Sequence, residues 1–348
     1  LAAAGRDAAV DYVLHPVLVD PNDEAIAGIP TLAAEGHTSL KLFMVFEHFD
    51  AQVDAFARAM RTAAGCGVVT MVHCEDAAVI RCAAAALLSE GRGSARYYPD
   101  SRPVASEAAA VERAVALAQV TGAPIYVVHL SSAEALEACR RARASGLPVW
   151  VETRPLYLYL TRERFEEPDA AKYAGAPPLR DATDVAAMWA GLWSGDIDTV
   201  CSDHAPWTLE QKLDPALTVA TLRQGVADLE TLMPMLFSAG VRTGRLSLER
   251  FVALTSTNAA RLFGLAPQKG MIAIGSDADL VVWDPEARRV VDGRLMHSRA
   301  GYSPYDGWEV IGWPAYTISR GEVVFARGEM QAARGRGRWV RRGRAGAL

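Results

Sequence analysis

The chain has 348 residues, enough to bury a large core as one big domain or two. With 51% apolar and 22% charged residues it has the make-up of a soluble globular protein. A net charge of −5, with no basic run before the C-terminus, argues against a nucleic-acid partner, and no apolar run reaches the ~18 residues of a membrane span.

Five cysteines without a CxxC pair fit reduced thiols and a cytoplasmic location. In chain order, short runs rich in Val, Ile and aromatic residues occupy 10–19, 39–46, 67–73, 124–129, 147–152 and 198–201. Alanine-rich stretches of helical period lie at 50–65, 76–91, 106–121, 132–146 and 184–194. This alternation predicts parallel βαβ units, and no GxGxxG follows a strand to support a dinucleotide site. A further helix is predicted over 247–263. Beyond it, Gly- and Asp-broken strands predict a small β domain over 266–330, and an Arg/Gly-rich stretch at 331–348 predicts a basic, flexible tail.

Polar residues recur where the apolar runs end: His73-Cys74-Glu75-Asp76, His129-Leu130-Ser131-Ser132, Glu152-Thr153-Arg154 and Asp203-His204. In a (β/α)8 barrel these strand ends form the face that holds active sites. Residues 1–265 are therefore expected to supply six of the eight strands, with the first two lying upstream of Leu1. Taken alone, each strand-end histidine reads as a satisfied polar residue. Two imidazoles and a carboxylate on converging strand ends suit Zn²⁺ or a similar divalent ion.

Lys41 stands in the middle of the apolar run Leu40-Lys41-Leu42-Phe43. A buried ammonium is costly unless it gains partners or loses its proton. A neutral amine there can take up CO2 to form a carbamate, which supplies the oxygen ligand that a two-metal site would otherwise lack.

The order Lys41, His73, His129, Asp203 resembles the amidohydrolase superfamily, on its dihydropyrimidinase and hydantoinase branch. Supporting text includes Ser101-Arg102-Pro103, Tyr126-Val127-Val128-His129-Leu130-Ser131, Glu152-Thr153-Arg154-Pro155, Pro177-Pro178-Leu179-Arg180 and Cys201-Ser202-Asp203-His204-Ala205-Pro206. The resemblance implies a TIM-like barrel with a small C-terminal β-sandwich, and two divalent metals, taken as zinc. It makes carbamylated Lys41 the bridging ligand, His73 and His129 ligands of one metal, and Asp203 both ligand and general base. It also implies a cyclic amide substrate (a hydantoin, dihydropyrimidine or ureide ring) and a homodimer or homotetramer.

Three departures from the resembled pattern stand out. The strand-one His-x-His is absent, since His15 and His37 do not form it, and a binuclear site therefore requires one upstream. Phe46 stands where an oxyanion tyrosine is expected. Ala176 and Gln224 replace the usual substrate-contacting serine and asparagine, so these three positions are read as substrate contacts with altered specificity. Allantoinase or dihydroorotase activity within the same superfamily, and a non-catalytic assembly protein of the same fold, are the alternative readings.

Overall fold

The computed structural model describes residues 5–346. Its centre is a parallel sheet in the order β1 (Ser39–Phe43), β2 (Val69–His73), β3 (Ile125–Val127), β4 (Val149–Thr153) and β5 (Thr199–Val200). β2, sequence Val-Thr-Met-Val-His, is buried at every position. One face of the sheet, with Leu42, Val72 and Val127, packs on helices, and the other, with Val69, Met71 and Tyr126, meets Leu262 and Phe263.

Those helices are α1 (Asp23–Glu35), α2 (Val53–Gly65), α3 (Ala77–Ser89), α4 (Val104–Thr121), α5 (Ala133–Ala144) and α6 (Ala182–Ser194). On α2, Phe56, Ala59, Met60 and Ala63 recur three and four residues apart and are buried together. The abundant alanines on α4 and α5 let these two neighbours approach closely. Asp76 accepts a hydrogen bond from Val79 N at 2.9 Å and so starts α3 three residues after β2 ends. That cap turns the chain just after β2, where His73 ends the strand and Glu75 follows. Ser132 caps α5 in the same way, three residues after His129.

The register pairs Phe43 with His73 and Val72 with Val127. β1 and β2 therefore end level, β3 stops one residue short and β4 and β5 run one residue further, so the polar strand-end residues share one face. A helical run follows, Leu248–Val252, Ala253–Thr257 and Asn258–Leu262, whose middle turn is a π-helix. Beyond it lies an antiparallel sheet of β6 (Leu280–Val290), β7 (Glu309–Ser319), β8 (Glu322–Ala326) and β9 (Glu329–Met330).

Four expectations are corrected. The run at 10–19 is not a strand: its one backbone bridge to β1 pairs Val17 with Lys41, with Lys41 N donating to Pro16 O at 2.8 Å and Leu18 N to Lys41 O at 3.0 Å, while His15 Nδ1 lies 2.7 Å from Ser39 Oγ. Pro16 has no N–H to extend a ladder. The described residues accordingly form five paired parallel strands, not six. The second sheet is single, not a sandwich, among the described residues. The C-terminal stretch, described to residue 346, is not a free tail. Arg338 O accepts from Tyr12 N, Val340 N donates to Tyr12 O, and Arg342, 3% exposed, donates to Ser39 Oγ at 2.9 Å and to Leu14 O at 2.8 Å. Its arginines have carbonyl and hydroxyl acceptors waiting on the N-terminal segment, and these contacts outweigh the freedom a basic stretch would have in water. α1 has no counterpart in the expected elements because Pro30 interrupts its pattern, although Asn22 caps it and Gly36 ends it.

Candidate metal centre

Two of the expected ligands meet directly. His73 Nδ1 lies 3.0 Å from His129 Nε2, with the rings edge to face. On the far side of the first ring, His73 Nε2 lies 2.8 Å from Glu75 Oε2. Glu75 is fully buried and accepts from Arg102 Nε at 3.0 Å as well as from Arg102 Nη2. Despite its burial, Arg102 and His73 hold its carboxyl down at about 2. An ionised Glu75 can only accept, so His73 Nε2 carries the hydrogen. Burial lowers the His73 pKa and lowers that of His129 well below the usual range. Both rings are neutral at physiological pH, and His73 Nδ1 is a bare lone pair facing His129. A carboxylate behind an imidazole, with the opposite nitrogen bare, is the arrangement that orients histidine as a metal ligand.

His129 has a positive φ of 41°, and Asp203 one of 45°. Both residues bend sharply out of their strand direction, a conformation uncommon outside glycine. His129 N donates to Glu152 Oε1 at 3.1 Å, which fixes that bend from the neighbouring strand.

Lys41 points its ammonium over the Phe43 ring, 4.8 Å from the centroid. Burial lowers its pKa from 10.5 to about 8, against the pull of Glu152, Cys74, Asp203 and Cys201. Phe43 in turn lies 5.7 Å from the His73 ring and 5.5 Å from Phe46. Phe46 itself is 48% exposed and stacks on His48, so it stands at the lip of the site and offers no hydrogen-bond donor there.

Asp203 stands apart from the histidines. Among the described residues the one set of three His, Cys, Asp or Glu side chains with ligand atoms within 4.8 Å of one another is Asp11, Asp277 and Asp279. Lys269 Nζ already fills that set, at 2.6, 2.9 and 2.6 Å. Asp203 Oδ2 instead faces Arg154 Nη1 at 3.0 Å. The residues therefore fit a divalent cation at the histidine half, where two neutral imidazoles converge beside Lys41. The carboxylate half is held by an arginine.

Two buried charges near Asp203 have no local signal in the sequence. Asp228 is 3.8 Å from Arg154 Nη2, and burial raises its pKa to about 7. Lys212, 1% exposed, donates to Ala174 O at 2.6 Å, Arg223 O at 2.7 Å and Gly225 O at 2.9 Å. It thereby ties together the two loops that carry Ala176 and Gln224. Tyr98 Oη donates to Gly175 O at 3.0 Å and Tyr157 Oη to Pro177 O at 2.6 Å, which shape the same wall. Ala176 is half-buried and Gln224 exposed, with Gln224 O accepting from Trp207 Nε1 at 2.8 Å.

The amidohydrolase family profile matches residues 22–324. The chain belongs to the amidohydrolase family. Within that family it is 40% identical to a D-phenylhydantoinase of Escherichia coli O1:K1 / APEC over 341 residues, 97% of this chain and 74% of that protein. The crystal structure of a dihydropyrimidinase from Brevibacillus agri NCHU1002 superposes with a TM-score of 0.94 at 35% identity, covering 98% of this chain and 75% of the other. An L-hydantoinase (dihydropyrimidinase) from Arthrobacter aurescens superposes with a TM-score of 0.89 at 33% identity, covering 97% and 75%. This amidohydrolase is thus a hydantoinase-like member of its family. No helix of the described residues is long and apolar enough to cross a membrane.

Proposed function

We propose that this amidohydrolase opens a cyclic amide ring of the hydantoin, dihydropyrimidine or ureide type. The observation that carries the reading is the pair of neutral, converging imidazoles of His73 and His129, oriented from behind by Glu75, in a chain so similar to hydantoinases.

His73, His129, Asp203 and a carbamylated Lys41 would hold divalent metal, which we take as zinc, and a second ion would need histidine ligands that the described residues do not supply. When bound, the metal supplies polarisation of the ring carbonyl and a lowered pKa for water. Lys41 is suited to carbamylation because burial brings its pKa to about 8, leaving a share of neutral amine to attack CO2 at physiological pH. Asp203 takes a proton from water as the oxygen adds to the ring carbonyl carbon. It returns that proton to the ring nitrogen as the C–N bond breaks. Phe46, Ala176 and Gln224 contact the ring and set its identity. Phe46 offers an apolar edge and no oxyanion donor, which shifts preference toward rings with apolar substituents. We further propose a TIM-like barrel over 1–265 and a separate β domain over 266–330, assembled as a homodimer or homotetramer.

Incubation of the zinc-loaded, CO2-equilibrated protein with phenylhydantoin, dihydrouracil and allantoin tests the reading. Ring opening of at least one is expected. No hydrolysis of any, with metal analysis showing a filled site, would overturn it. A non-catalytic assembly role is not favoured, because the histidine pair and its carboxylate support are intact.

A further inference from the structure

We propose that Arg154, backed by Asp228, is a positioning residue for Asp203, pinning one carboxylate oxygen so that the other faces the reacting water. The inference rests on the reading of Asp203 as general base.

Arg154 is the first residue after β4 and is fully buried. Asp203 follows β5, the neighbouring strand, and its side chain is 43% exposed. The two meet through Arg154 Nη1 and Asp203 Oδ2 at 3.0 Å, a charge contact whose angles fall short of an aligned hydrogen bond. Among the described residues, Asp203 Oδ1 has no such partner. An arginine on one oxygen therefore leaves the other available, and it does so for a residue held at a φ of 45°, where the backbone does not choose this pose unaided.

The guanidinium needs its own support. Burying an unpaired cation is costly, and Asp228 is the compensating anion, with Oδ2 3.8 Å from Arg154 Nη2. Both Asp228 oxygens are buried without a hydrogen-bond partner, so no hydrogen bond holds this carboxylate elsewhere among the described residues. A buried Asp–Arg pair whose free end meets one oxygen of a solvent-facing carboxylate is a device for orientation. For stability alone, apolar side chains of similar volume serve as well.

The same argument supplies the test. The double variant R154M/D228L removes both buried charges and leaves neither unpaired, which preserves the fold where R154M alone is at risk. R154K keeps the charge and loses the planar fork. Measured on the zinc-loaded protein against phenylhydantoin, R154M/D228L is expected to lose about 10–100-fold in kcat, the usual cost of removing an outer-shell partner. KM should stay within about twofold. R154K is expected to recover part of the loss. An unchanged kcat in the double variant, or a loss seen entirely in KM, overturns the proposal. If the parent protein opens no ring at all, the functional reading fails by itself. The orientation is then read from crystal structures of parent and double variant, where an identical Asp203 carboxylate pose in both overturns the positioning role independently of turnover.

Discussion

Lys41 shows how burial in an apolar strand changes the chemistry of a single side chain. An ammonium in an apolar parallel strand is expected to find a counter-ion, yet Lys41 forms no ion pair among the described residues and its ammonium sits over the Phe43 ring. The cost appears as a pKa lowered from 10.5 to about 8, with burial as the largest cause. In the metal-free, unmodified protein this gives stability a definite pH dependence. Between pH 8 and 10.5 the unfolded chain holds more of this proton than the folded one, so stability rises with pH through that window. Below pH 8 the penalty is fully present. The K41M variant lacks it, and its advantage over the parent in urea unfolding is expected to be largest at pH 7 and to shrink toward pH 10. Parallel pH profiles for the two proteins would contradict the assignment. Glu75 acts on a different property, the choice of which His73 nitrogen is bare, and its own charge is secured by Arg102.

Among the elements, the loops beyond the strand ends decide the shape of the site. The strands and the caps at Asp76 and Ser132 bring His73 and His129 to one level. The opposite wall has no regular structure of its own: residues 174–177 and 223–225 are held by Lys212, Tyr98 and Tyr157. Gly225, at φ 119°, completes the junction, because a Cβ there would lie 2.4 Å from Ala205 O. Burial pushes the Lys212 pKa down to about 7, while its three carbonyl acceptors each require a proton on Nζ and favour the ammonium. The K212M variant leaves Arg223 O and Gly225 O without this donor, while Ala174 O keeps Gly225 N at 3.1 Å, at a cost of about 1–3 kcal/mol per unpaired carbonyl before relaxation. A total loss of about 2–4 kcal/mol in urea unfolding is expected, with a raised KM as the wall loosens. Unchanged stability and KM would show that the loops hold without it.

Across the whole molecule, the two ends of the chain stabilise each other. The N-terminal segment meets the parallel sheet through the bridge at Val17 and the contact of His15 with Ser39, and residues 338–342 press it into place. Asp11 is the hub: Lys269 and Arg320 both pair with it, and Arg338 N donates to its Oδ1 at 2.9 Å. This links the first residues to the antiparallel sheet and the last turn of chain. Deleting residues 331–348 leaves Ser39 without its Arg342 donor and uncovers Tyr12. The thermal midpoint is expected to fall by a few degrees, at roughly 1–2 °C per kcal/mol for a chain of 348 residues. A midpoint equal to the parent's would return this segment to the status of a loose tail.

The alternation of apolar runs and alanine-rich helices determined a parallel βα architecture, and the polar residues closing those runs determined the face on which His73 and His129 meet. Both follow from patterns local in sequence, since strand period, helix period and caps are set by near neighbours. The motif text also carried the family. Tertiary structure alone decided the rest. Pro16 kept the first apolar run out of the sheet, and acceptors 300 residues away converted a basic stretch into a packed one. It also decided that Asp203 is met by Arg154, and that Asp228 and Lys212, the latter closing the short helix Leu209–Lys212, are buried behind the site. Which buried charge answers another depends on distances across the fold, and no spacing along the chain encodes them.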